Sequence, residues 1–225
     1  MRALALTLAA GVAVLLGGCH TAPGYPANPV TNPDEVADFN TLYSENCTAC
    51  HGRNGQNGPA IDLANPEYQA LIDDATMHKW IATGMPGTQM PAFAQSAGGM
   101  LTDAQIDALV AGMRSQWRAQ NAFAGDAPPS YAQVQAGDPH RGAQVYATRC
   151  ARCHKAAQQD ITSPTYLALV SNQALRSIII AGRPDIGTPD WRHVGSGGPL
   201  TAQEVDDLVA YFRSLRNSTQ AAGGR

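Results

Sequence analysis

The sequence predicts an all-α chain built from two tandem helical domains. The first observation behind this is internal repetition. Within 225 residues, Cys47, Gly84 and Leu101-Thr102 recur as Cys150, Gly182 and Leu200-Thr201, at offsets of 103, 98 and 99 residues. The second is that each copy closes on an amphipathic helix with its own start signal. The third is that no stretch shows the period-two alternation that demands a sheet.

The first helix is expected over residues 34–45, after Pro33, with Val36, Phe39 and Tyr43 on one face. Its counterpart is expected over residues 141–148. Thr102-x-x-Gln105 and Thr201-x-x-Glu204 have the form of capping boxes. Behind the first, Ile106, Leu109, Val110, Met113 and Trp117 make one apolar stripe. Behind the second, Val205, Leu208, Val209, Phe212 and Leu215 make another. Both stripes read as core packing. The division that follows is a domain over residues 34–120, a linker over 121–137 rich in Ala, Gly and Pro, a second domain over 138–217, and a flexible tail over 218–225.

The chain begins with Met1-Arg2, then an apolar run over residues 3–16, then Leu16-Gly17-Gly18-Cys19. A short basic start, an apolar core and small closing residues predict a secretory signal over residues 1–18. The run is short for a membrane span. Its ending resembles a bacterial lipoprotein cleavage box. That resemblance implies cutting before Cys19, acylation of its amine and thiol, and anchoring on the periplasmic side of a bacterial membrane. An ordinary signal segment with a stray cysteine is the other reading. Residues 19–33 hold four prolines and predict an extended tether of up to roughly 40 Å.

Composition is that of a globular chain: 44% hydrophobic, 15% charged, net charge −3. No basic patch points to nucleic acid. The other four of the five cysteines fall in two copies of one pattern, Cys47-Thr48-Ala49-Cys50-His51 and Cys150-Ala151-Arg152-Cys153-His154. Cys-x-x-Cys-His is the attachment pattern of a c-type haem. The thiols add to the haem vinyls and the His approaches the iron. Two covalent haems (iron) are therefore expected, on Cys47 and Cys50 with His51, and on Cys150 and Cys153 with His154. A redox disulfide would need a βαβ setting, and none is visible. A zinc site would need a second ligand pair.

With these motifs and helices in place, each half resembles a class I cytochrome c domain. The resemblance covers nearly all of residues 34–217. It implies an all-α fold of two tandem cytochrome c-like domains, each wrapped around one haem. The family crosses its first and last helices beside the haem, with a glycine on the first and an aromatic on the last. The second copy offers Gly142 and Tyr211. The first offers Phe39 and Gly112, the sizes reversed, so Phe39 is expected to pack over Gly112.

The stretch Gly84-Met85-Pro86-Gly87-Thr88-Gln89-Met90-Pro91-Ala92-Phe93 resembles the family's methionine loop. It implies Met90 as distal ligand to the iron held by His51, 39 residues after it, with Met85 the runner-up. Pro59 fits the family position whose carbonyl accepts a hydrogen bond from the proximal His, and Pro164 is its candidate counterpart. The second copy departs from the pattern. Thr188 stands where Met90 does, and no methionine follows Met113. Three states stay open for the second iron: ligation by His193, an open distal side, or a ligand from elsewhere. Arg183 and Trp191 read either as partners of haem propionates or as loop packing. His78, Lys79 and Arg176 read as solvated, and His20 and His140 need no role.

The function these features imply is electron transfer in a respiratory chain outside the inner membrane, as a tethered carrier or as a subunit of a redox complex. The expected partners are other redox proteins: a quinol-oxidising complex, a terminal oxidase or a small cytochrome. A peroxidase-like dihaem enzyme and a gas-binding sensor are the alternatives, both using an open second haem.

Overall fold

The structure is a computed structural model that describes residues 31–154 and 160–223, with side chains to residue 217. The signal segment, Cys19 and the tether before residue 31 lie outside the described residues. The chain forms two compact units, Met1–Glu35 and Val36–Arg225. Of the first unit, a 3-10 turn Pro33–Glu35 is described, closed by the Glu35 N–H on the Asn32 carbonyl at 2.9 Å. The second unit contains both repeats. Among the described residues there is no strand, only two isolated bridges, Ala94 with Leu101 and Arg183 with Thr188.

The first half runs α1 (Phe39–Asn46), α2 (Thr48–His51), α3 (Pro66–Leu71), α4 (Asp74–Thr83) and α5 (Asp103–Trp117). The second runs α6 (Pro139–Val145), a π turn Tyr146–Cys150, α7 (Ala151–His154), α8 (Pro164–Leu169), α9 (Asn172–Ala181) and α10 (Ala202–Gly223). The expected helix over 34–45 is broken in two. Asp38 takes an extended conformation and its carboxylate accepts the Thr41 N–H at 2.9 Å, so the helix starts at its cap. In the second half Asp138 caps α6 at Pro139, two residues earlier than expected. Both capping boxes form. Thr102 and Gln105 bond reciprocally, and so do Thr201 and Glu204. Helix α10 continues to Gly223, through most of the segment expected to be a flexible tail. Nothing between Asn217 and Gly223 breaks a helix, and each added residue gains a backbone bond at little cost.

Helices α5 and α10 bury the stripes read from the sequence. Ile106, Leu109, Val110 and Met113 enter the first core, and Val205, Leu208, Val209 and Phe212 the second. Each such side chain contributes about 1.5–3 kcal/mol of burial. The two helix crossings use small and large residues in opposite order. A Cβ on Gly112 would stand 2.1 Å from Phe39 Cδ2, and one on Gly142 would stand 1.9 Å from the Asp207 carbonyl and 2.8 Å from Tyr211 Cβ. An arginine then ties each long helix to the corner beside it. Arg114 donates to the Gln69 and Ile72 carbonyls, and Arg216 to the Leu167 and Val170 carbonyls.

The halves are docked side by side. Asn65 is buried, and its amide donates to the Ala181 carbonyl at 2.8 Å, while Ala181 itself joins the first core. Arg192 reaches Glu67 at 3.2 Å and the Phe123 carbonyl at 3.0 Å. The linker takes part: Trp80 donates to the Tyr131 hydroxyl, and Gln173 and Arg176 to the Tyr131 carbonyl. Arg176, expected to be solvated, is 2% exposed and paired with the equally buried Asp206. It lies on the face of α9 turned to α10 and the linker, and a buried charge is tolerated there because it is paired and bonded.

Candidate functional site

Helix α1 leads straight into the first Cys-x-x-Cys-His motif. Cys47 ends α1 and caps α2, so Cys47, Cys50 and His51 lie on one helical turn. Residues three and four apart share a helix face, which aims both thiols and the imidazole at one side. Cys47 is half-buried against the first core and Cys50 is exposed; among the described residues neither is in a disulfide. Cys150 and Cys153 repeat this arrangement on the π turn and α7. Burial pushes the Cys47 thiol up to about 12 and the Cys150 thiol up to about 11. A dithiol redox centre needs the opposite shift, toward the thiolate.

His51 Nδ1 stands 2.9 Å from the Ile61 carbonyl. A carbonyl only accepts, so Nδ1 carries the proton and Nε2 keeps its lone pair. Burial holds the imidazole below its ordinary range, which also favours the neutral ring. The acceptor was expected to be Pro59. The structure assigns it to Ile61, two residues on, because the Ala60 N–H bonds back to the Cys50 carbonyl at 2.9 Å and brings the next carbonyl to the ring. Pro59 itself is exposed. Two unpaired thiols on one turn and an imidazole with Nδ1 tied and Nε2 available are the donor set a covalent haem c requires.

The two distal loops share their closing geometry. Gly84 and Gly182 both have positive φ, +68° and +74°. A Cβ on either would lie 2.8 Å from one carbonyl, that of Met90 in the first half and of Thr188 in the second. The Met85 N–H bonds to the Met90 carbonyl at 3.1 Å, and the Arg183 N–H to the Thr188 carbonyl at 2.9 Å. Thr188 therefore occupies the place of Met90. Met90 packs against the first core, whereas the sulfur of Met85 accepts from the Ser171 hydroxyl at 3.0 Å.

His193 lies at the surface. Its side chain is 69% exposed, and Nδ1 lies 3.1 Å from Asp190 Oδ1. The three-residue spacing that lets Asp190 hold it also turns the ring to the surface. Arg183 and Trp191 are both buried in contacts within the protein. Trp191 is buried, edge-on to Phe123 and beneath the Arg192 guanidinium. Arg183 is spent on Asp185 and on carbonyls of the first half.

Two features escaped the sequence reading. The Tyr43 hydroxyl donates to the Gly52 carbonyl at 3.0 Å and that of Tyr146 to the His154 carbonyl at 3.2 Å, bracing each motif from behind. Their signal was present, a Tyr four residues before the first Cys in both copies. Asp62, next to Ile61, is 3% exposed, and its Oδ1 has no partner among the described residues. Burial first, and the Asp185 charge second, push its carboxyl up to about 6.

Residues 34–111 match the family model Cytochrome C oxidase, cbb3-type, subunit III, and residues 139–216 match Cytochrome c. The chain carries two tandem cytochrome c domains. Such domains imply covalently bound haem c. Dihydro-heme d1 dehydrogenase of Pseudomonas aeruginosa is 38% identical over 96 residues, 39% of this chain and 18% of that protein. The Cbb3-type cytochrome c oxidase subunit CcoP of Azospirillum sp. is 32% identical over 130 residues, 53% of this chain and 39% of that protein. The alignments thus span well under half of both curated relatives. A solved structure, the Kuenenia stuttgartiensis reducing HAO-like protein complex Kustc0457/Kustc0458, aligns with a TM-score of 0.43 at 18% identity, over 83% of this chain and 99% of that chain.

Proposed function

We propose that this cytochrome is a dihaem electron carrier of a respiratory chain, working outside the inner membrane. The observation that carries the reading is the first site, where His51 has Nδ1 tied to the Ile61 carbonyl and Met90, on the distal loop, packs against the first core. In this reading Cys47, Cys50, His51 and Met90 hold the first haem, and Cys150, Cys153 and His154 hold the second. Bound haem c supplies a one-electron couple at each iron. The chain's own residues do the rest. The Ile61 carbonyl orients His51, the Tyr43 and Tyr146 hydroxyls brace the motif ends, and the docked halves keep the two centres in one compact unit.

Support for redox partners comes from the relatives, one named as a subunit of a cbb3-type cytochrome c oxidase and one as a dehydrogenase. A quinol-oxidising complex, a terminal oxidase or a small cytochrome fits this role, bound weakly through a small interface. Cys19, lipidated behind its signal segment, would tether the protein to the periplasmic side of the membrane. Mass spectrometry of the membrane-extracted protein tests the anchor: an unmodified Cys19, or a retained residue 1–18 segment, removes it.

Thr188 and the surface position of His193 favour one second reading, an open second haem that binds a small molecule as a peroxidase-like enzyme or a gas sensor does. Haem content, spin state and carbon monoxide binding of the purified protein separate the two. A carrier shows two haems per chain, reversible reduction at two potentials and no peroxide turnover. Fast peroxide turnover would replace the carrier reading with the enzyme. Tight ligand binding without turnover would replace it with the sensor.

A further inference from the structure

The second domain grips the motif loop of the first through one arginine. Arg183 is 6% exposed. Its Nε and Nη2 donate to the two oxygens of Asp185 at 2.8 and 2.7 Å. Its Nη1 donates to the Ala60 carbonyl at 2.7 Å, and Nη2 also to the Gly58 carbonyl at 3.0 Å. Asp185 in turn accepts the Asn57 N–H at 2.8 Å. Three backbone groups within four residues of the first domain are thus fixed by two side chains of the second.

That loop ends at Ile61, whose carbonyl accepts the His51 Nδ1–H. The Ala60 carbonyl and the Ile61 N–H share one rigid peptide plane, so holding the former sets the direction from which Ile61 approaches the ring. The loop is also pressed on the motif: a Cβ on Gly58 would stand 2.3 Å from the Cys50 carbonyl. The first domain's own residue at the Arg183 position is Met85; among the described residues its side chain accepts from the Ser171 hydroxyl and forms no such fork onto a motif loop. The bonds cross from one half to the other and belong to the junction.

We propose that Arg183, locked by Asp185, is a positioning residue through which the second domain sets the His51–Ile61 hydrogen bond and thereby the reduction potential of the first haem. This rests on the assignment of His51 as proximal ligand. A tighter Nδ1–H bond makes the imidazole more basic and favours the ferric state; a looser one favours the ferrous state.

The test is potentiometric titration of the intact dihaem protein, with Arg183→Lys and Asp185→Asn. Lysine keeps the charge but cannot form the fork. The higher of the two midpoints belongs to the methionine-ligated haem. It is expected to rise in both variants. The ferrous-to-ferric ratio at fixed ambient potential should grow about threefold to tenfold, up to about 59 mV, while the lower midpoint stands. The His51 Nδ1 proton, followed by NMR in 15N-histidine-labelled protein, should exchange faster. An unmoved higher midpoint with unchanged exchange overturns the proposal. So does an equal shift of both midpoints, which reports general loosening. Should Arg183→Lys not accumulate as folded protein, Asp185→Asn decides alone. A haem content below two per chain, or a higher midpoint indifferent to Met90→Ala, would instead sink the ligand assignment, and the proposal with it.

Discussion

The ring of Phe39 lies on the bare backbone of Gly112, leaving no room for a Cβ on that glycine. It also stacks edge-on to Trp117 at 5.7 Å and lies 5.5 Å from Tyr43, whose hydroxyl braces the first motif. Overfilling this crossing should be felt at the haem loop. Gly112→Ala is expected to cost about 1–3 kcal/mol. Phe39→Ala in the same chain should recover part of that loss, because the two sites share one space. Denaturant unfolding of the two single variants and the double variant measures the coupling, and strict additivity would show that the contact does not matter.

Asn65 does two jobs in one buried place. Its oxygen caps α3 through the Glu67 and Tyr68 N–H groups, and its amide holds the Ala181 and Gly182 carbonyls of the other domain. Asn65→Ala removes a cap and leaves two carbonyls poorly satisfied. The expected cost is about 2–4 kcal/mol. More specifically, the junction should open before either core. Amide exchange in α9 and proteolysis within residues 118–138 should both rise, and unchanged protection there would count against a junction held by this residue.

Asp62 gives a pH dependence with a definite sign. Its carboxyl titrates near 6 when folded, against an ordinary 3.8. Between about pH 4 and about pH 6 the folded protein holds a proton that the unfolded chain has released. Stability therefore falls as pH rises through that window and stays low above it. Asp62→Asn removes the charge that must be buried. It is expected to stabilise the protein by about 1–3 kcal/mol above pH 6 and by little near pH 4. Thermal unfolding across that range checks it; a variant less stable at pH 7 would refute the sign.

The distal positions separate by spectroscopy. Met90→Ala should leave two haems per chain, lower the higher midpoint and let the first haem take up carbon monoxide. His193→Ala should leave both absorption spectra unchanged, since the ring is exposed and held by Asp190. Loss of a low-spin signal in His193→Ala would show that the ring turns inward when haem is bound.

Much of this was legible in the residues. Both capping boxes and both apolar stripes stand where periodicity and spacing put them, and the swapped glycine and aromatic at the two crossings stand where the family resemblance put them. These are local or nearly local signals, set by helix period and by cap chemistry. The first helix began late because Asp38 outcompeted Pro33 as a start, a choice between two valid signals that only packing settles. Pro59 lost its role to Ile61 because a single backbone bond, Ala60 to Cys50, shifts the loop by two residues.

The sequence by itself determined two covalent-haem motifs, two all-α repeats and the replacement of Met90 by Thr188. Each is written in residue types at fixed spacing along one stretch of chain. Only the tertiary structure decided that Arg176 is buried, that Arg183 and Asn65 bind the opposite domain, and that Asp62 is shut away beside the first motif. Those facts depend on partners about 30 to over 120 residues distant. A polar side chain looks the same in the sequence whether water or a distant carbonyl satisfies it, and the docking of the halves makes that choice.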